Sequence, residues 1–179
     1  VTLKTLNEAS CEPGPGVTVE FASSASTIAE NAGSSLTLTA TLSGAVASDV
    51  TVSLATSGTG TEGTDYGTIS DITISAGSTT GTTSFTPTDD STYEGNETAI
   101  ISVSGVSGGS VTENCTQQAT ITITENESAP TVTLASSASS IAENAGSALT
   151  LTATLSVATT ADVTVSLTPT GTGTEGTDY

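Results

Sequence analysis

The sequence contains no histidine, arginine, methionine or tryptophan, and its single cationic side chain, Lys4, stands against nineteen aspartates and glutamates. One lysine cannot make a basic surface. The chain therefore cannot displace counterions from a phosphate backbone, and nucleic-acid binding is excluded. Without histidine there is no imidazole base to activate a nucleophile, and neither a nucleophile elbow nor a phosphate-cradling glycine loop is present. Paired carboxylates can hydrolyse glycosides, but aromatics are only 3% of the residues, too few for a sugar platform. An enzyme is not expected. No apolar run approaches the ~20 residues of a membrane helix, so no membrane insertion is expected in this segment. No targeting signal is visible, which implies that it was removed or that the segment lies inside a longer chain. The two cysteines, Cys11 and Cys115, are compatible with an oxidising compartment. With scarce lysine, abundant threonine and an acidic surface, they point to an extracellular or cell-surface location.

What the chain has in quantity is hydroxyl groups, with forty threonines and twenty-seven serines. They alternate with apolar residues, as in Leu36-Thr-Leu-Thr-Ala-Thr-Leu42. Period-two alternation with β-branched residues marks strands, and a disordered acidic chain lacks it. The chain also repeats itself. Ile28-Ala-Glu-Asn-Ala-Gly33 returns as Ile141-Ala-Glu-Asn-Ala-Gly146, and Gly58-Thr-Gly-Thr-Glu-Gly-Thr-Asp-Tyr66 returns at 171–179. Residues 18–66 and 131–179 are identical at 38 of 49 positions without a gap, as in a recently duplicated tandem array. In the first copy, apolar runs punctuated by Gly, Asn and Asp predict seven strands, A to G, near residues 17–28, 36–43, 50–55, 68–75, 80–87, 97–104 and 118–124. This is the pattern of an all-β, Ig-like antiparallel β-sandwich repeat. The expected organisation is an N-terminal extension over 1–16, a first domain over 17–129, and over 130–179 the beginning of a second, incomplete repeat that reaches only strand C.

The carboxylates collect at strand ends. Glu30 closes strand A, Asp65 precedes strand D, Asp89, Asp90, Glu94 and Glu97 crowd the E–F connection, and Glu125, Asn126 and Glu127 follow strand G. In an Ig-like sandwich these places can share one pole. Two carboxylates about 4 Å apart repel by about 4 kcal/mol at an effective dielectric of about 20, and no Arg or His is available to relieve it. A hard divalent cation with oxygen ligands would do so, and such a donor set favours calcium over zinc. Solvated acidic loops are the alternative. An EF-hand is excluded, because its loop motif is absent.

Four of these runs carry a family resemblance: Ile28-Ala-Glu-Asn-Ala-Gly33, Gly63-Thr-Asp-Tyr66, Asp89-Asp90-Ser-Thr-Tyr-Glu94-Gly-Asn-Glu97 and Ala119-Thr-Ile-Thr-Ile-Thr-Glu-Asn-Glu127. In order and spacing they resemble the Calx-beta domain, over about residues 17–127 and again from 130. The resemblance implies an Ig-like sandwich of the kind found in sodium–calcium exchangers and large surface repeat proteins, with calcium at one pole in the members that bind it. It implies Glu30, Asp65, Asp89, Asp90, Glu94, Glu97, Glu125 and Glu127 as ligands. Asn126 stands where calcium-binding members have Asp, which lowers the expected charge of the site. The second copy supplies only Glu143 and Asp178, so no full site is expected there.

In this fold strands A and G run side by side, and a Cys11–Cys115 disulfide is expected; free thiols or inter-chain bonds are the competing readings. Asn96, Asn114 and Asn126 head glycosylation sequons, a number little above chance in so Ser/Thr-rich a chain. The function expected is a calcium-rigidified structural or adhesive repeat of a long surface or secreted protein, whose partners are neighbouring repeats or copies of itself. Two alternatives stand beside it: a self-assembling filament subunit whose incomplete domain is completed by a neighbouring chain, and a calcium-sensing regulatory domain.

Overall fold

A computed structural model describes residues 16–173. Almost all of the expected N-terminal extension, with Cys11, and the carboxylate Asp178 of the second copy lie outside the described residues. The chain divides into two units, Val1–Asp90 with Gly95–Asn126, and Ser91–Glu94 with Glu127–Tyr179. Among the described residues every regular element is a strand, and no helix is long and apolar enough to cross a membrane.

The first unit is a sandwich of two sheets. One has the order β6 (Thr80–Phe85), β3 (Leu36–Leu42), β1 (Thr18–Ser23), β8 (Thr112–Glu113). The other runs β2 (Thr27–Ala29), β9 (Gln118–Thr124), β7 (Glu97–Ser107), β4 (Val50–Gly58), β5 (Ile72–Ile74). The period-two pattern explains the packing. Leu38, Ala40 and Leu42 on β3, Val50 and Val52 on β4, Ile72 and Ile74 on β5, Ala99, Ile101 and Val103 on β7, and Ile121 and Ile123 on β9 are all buried. The residues between them are mainly Thr and Ser, which stand outward or half-covered. Tyr66 and Phe85 stack inside the core with ring centroids 4.9 Å apart.

The structure departs from the seven-strand expectation in specific places. Strand A is two strands in different sheets. β1 pairs antiparallel with β3, whereas β2 pairs parallel with β9. The cause is a change of phase: Val19 and Phe21 are buried at odd positions and Ile28 at an even one, so the strand must break to turn both inward. The break is held by serines, with the Ser24 hydroxyl accepting the Thr37 N–H at 3.0 Å and the Ser23 hydroxyl donating to the Ala25 carbonyl at 2.7 Å. β4 and β7 run longer than expected because they pair along nearly their whole lengths, past a register shift at Ser53/Leu54. Asp71 fills that shift: its carboxylate accepts the Leu54 N–H at 2.9 Å and the Ser53 hydroxyl at 3.0 Å. Strand D shrinks to β5, since Ile69 and Asp71 are drawn into loop contacts. β8, a two-residue strand parallel to β1, was not expected.

In the second unit β10 (Val132–Ser136) and β11 (Leu151–Leu155) form a two-stranded antiparallel sheet. Its register, Val132↔Leu155, repeats that of Val19↔Leu42 at the same spacing. The expected third strand, C of this copy, does not form: residues 163–167 have no strand pairing. Residues 131–179 correspond to 18–66 and so include no counterpart of β5 to β9.

Candidate metal centre

Strand pairing decides which carboxylates meet. β2 lies parallel to β9 with Ala29 opposite Thr124, so the next residues on both strands, Glu30 and Glu125, leave the sheet side by side. The Glu30 N–H continues the ladder to the Thr124 carbonyl at 3.0 Å. Glu30 is one of only two buried polar residues among those described, at 8% exposure. Its carboxylate accepts the N–H of Asp90 at 3.2 Å, which draws the connection after β6 to the same place.

Glu125 is held from several directions. Its Oε2 accepts the Gly95 N–H at 2.8 Å, its Oε1 accepts the Asn126 N–H at 2.9 Å, and its own N–H donates to the Asn96 side-chain oxygen at 3.0 Å. Glu30 and Glu125 each place an oxygen within 4.8 Å of the other's.

A second pair forms beside β7. The turn before Tyr66 is closed by the Asp65 carboxylate, which accepts the Thr61 N–H at 2.5 Å, and by Thr88 N–H donating to the Asp65 carbonyl at 3.0 Å. Asp65 thereby brings an oxygen within 4.8 Å of one from Glu97, the first residue of β7. The negative field reaches the Tyr66 hydroxyl. Burial raises its pKa above the ordinary value and a hydrogen bond with Thr56 opposes this, while the charges of Glu62, Asp65 and Glu97 raise it further.

The other expected residues are distributed differently. The side chains of Asp89, Asp90 and Asn126 are exposed, and Asp90 contributes its backbone N–H. Glu94 and Glu127 are half-buried and belong to the stretches Ser91–Glu94 and Glu127–Tyr179 that make up the second unit. Of the sequon residues, Asn96 is exposed and Asn114 half-buried. Among the described residues no cysteine is free. Sequence reasoning named Asn96 as a sequon and gave Gly95 no role, though both stand in the run from Asp89 to Glu97. Glu62, which was not singled out, proves to be a loop brace that accepts the Thr56 hydroxyl and the Ile69 N–H, both at 2.7 Å.

Chemically, the two pairs are sets of hard oxygen donors without imidazole or thiolate, and residues 16–173 contain no Lys, Arg or His to neutralise them. With oxygens within 4.8 Å of one another, each pair repels by at least about 3 kcal/mol at an effective dielectric of about 20. A divalent cation suited to oxygen ligands fits this donor set, calcium better than zinc.

Comparison with known proteins agrees with the architecture. The Calx-beta domain family model matches residues 15–127 and, a second time, residues 125–179. A crystal structure of the apo-form Calx CBD1 domain is similar with a TM-score of 0.51 at 21% identity, covering 63% of this chain and 98% of that one. A crystal structure of CBD12 from CALX1.2 is similar with a TM-score of 0.50 at 21% identity, and there the match covers 60% of this chain and 44% of that one. At such identities the likeness is one of fold. No curated protein matches the sequence.

Proposed function

The chain belongs to the Calx-beta domain family, and we propose that its first unit is a non-enzymatic calcium-binding module that stiffens a tandem array in a secreted or surface protein. The observation that carries this reading is the gathering of Glu30 with Glu125 and of Asp65 with Glu97 in a stretch with no cationic side chain. These residues come from four separate parts of the sequence, so chance clustering along the chain does not bring them together. Glu30 with Glu125, and Asp65 with Glu97, would each hold an ion. Calcium would supply the positive charge that lets the end of β2, the turn before Tyr66, the start of β7 and the end of β9 stay in register. The remaining candidates are tested by replacing the carboxylates of Asp89, Asp90, Glu94 and Glu127 with the matching amides and Asn126 with alanine. A ligand that binds only the folded state stabilises it by about 2.7 kcal/mol at 100 times its Kd. Thermal melting of the first unit should then rise by about 10 °C in calcium relative to chelator. Equal midpoints in the two buffers would overturn the reading. Small-angle scattering tests the stiffening: a larger maximum dimension in calcium supports it, and an unchanged one rejects it.

The surface or extracellular setting is supported by composition. A Cys11–Cys115 bond belongs to this proposal, and closing a loop of about 100 residues contributes up to about 4.7 kcal/mol in the chain-entropy model. Alkylation without reductant should label neither cysteine; labelling of both refutes the bond.

One observation favours a second reading, assembly by strand addition. The apolar residues Val132, Leu134, Ile141, Leu151, Val163, Val165 and Leu167 of the second unit are 37–54% exposed. Sedimentation that shows growth into polymers with concentration supports it, and a persistent monomer rejects it.

A further inference from the structure

We infer that Asn96 is a positioning residue for the proposed ion site, acting through Glu125 rather than on the ion; the inference rests on the calcium reading above. Glu125 is the first residue beyond β9, where the ladder no longer dictates its backbone. Gly95 and Asn96, which lead into β7, provide what the ladder does not. The Asn96 side-chain oxygen accepts the Glu125 N–H at 3.0 Å and orients the main chain. One residue earlier, the Gly95 N–H donates to Glu125 Oε2 at 2.8 Å and orients the carboxylate. The two bonds run in opposite directions between the same two segments, so each limits the slip that the other would allow.

Gly95 adopts φ +80°, a conformation suited to glycine, and this turns its N–H toward Glu125. Its Oε2 accepts the backbone N–H of Gly95 and its Oε1 that of Asn126. Outer partners that hold a ligand in place typically account for 10–100-fold in metal affinity.

The side chain of Asn96 is exposed, so its role is not one of core packing. Its amide oxygen, not its size, is the group that matters. An aspartate at this position keeps an acceptor oxygen on the same stem, and an alanine does not.

The test is calorimetric titration of the full chain with calcium chloride for wild type, Asn96→Ala and Asn96→Asp, with the thermal midpoint of each recorded in chelator. Asn96→Ala should weaken calcium binding about tenfold, and Asn96→Asp should bind at least as tightly as wild type. A merely structural asparagine would lower the chelated midpoint in Asn96→Ala and leave the affinity unchanged, which overturns the inference. Loss in Asn96→Ala that Asn96→Asp fails to restore overturns it too, since the acceptor would then not be the cause. If wild type itself takes up no calcium, the ion reading falls, and that outcome is distinct from a wild type that binds while Asn96→Ala binds equally well.

Discussion

The two copies share 38 of 49 residues, yet they differ completely in what they bury. Val19, Phe21 and Leu38 are 0%, 6% and 0% exposed, whereas Val132, Leu134 and Leu151, at the same places in the second copy, are 47%, 52% and 54% exposed. Local structure survives this difference. Both copies form the same hairpin register, both carry the corresponding turn bonds Ala32 N–H to Ala29 and Ala145 N–H to Ala142, and Gly33 and Gly146 sit at φ 61° and 64°. Sequence thus dictates the hairpin and its turns locally. Burial instead comes from β5, β6, β7 and β9, which supply Ile72, Ile74, Phe85, Ile101 and Ile121 to the first core.

The largest test of that contrast is a matched pair of substitutions. Leu38→Ala removes a fully buried side chain and should cost about 2–5 kcal/mol. Leu151→Ala, at the same place in the second copy, should cost under about 0.5 kcal/mol. Urea unfolding followed by tyrosine fluorescence checks both, and equal costs would break the comparison.

An intermediate effect is expected at Asp71, which lies beyond the 18–66 stretch that the two copies share. Asp71→Ala leaves the Leu54 N–H and the Ser53 hydroxyl without their acceptor at the β4 register shift. It should cost about 1–2 kcal/mol, read from the same urea midpoints; no change would mean that water replaces the carboxylate.

The smallest effect is a pH dependence. The Tyr66 hydroxyl has a raised pKa in the folded state, chiefly through burial. Above about pH 10 the unfolded chain gives up this proton first, so folding stability should fall as pH rises past that point and be indifferent to it below. Tyr66→Phe should flatten the alkaline decline. A decline that persists unchanged in that variant assigns it to other groups.

Much of the fold was legible because period two is a strong signal: β9 occupies residues 118–124, as the alternation predicts. The division of strand A was legible in principle from the phase change between Phe21 and Ile28, but alternation was read over too long a window to show it. β8 was not legible, since two residues carry no periodicity. At the site, the pole shared by Glu30 and Glu125 followed from the order of the strands. Asn96 was missed because spacing does not say which of its atoms meets which backbone group. Nor does an apolar pattern tell whether anything covers it: Leu38 and Leu151 have the same neighbours in sequence and opposite surroundings.

The account depends most on a cation holding the carboxylate pole together. Its most direct test is calorimetric titration of the chain with calcium, for wild type and for Glu30→Gln with Glu125→Gln. The account predicts saturable binding by wild type and a loss of at least about tenfold in the double variant. Wild type that takes up no calcium, or a double variant that binds as tightly as wild type, would contradict it.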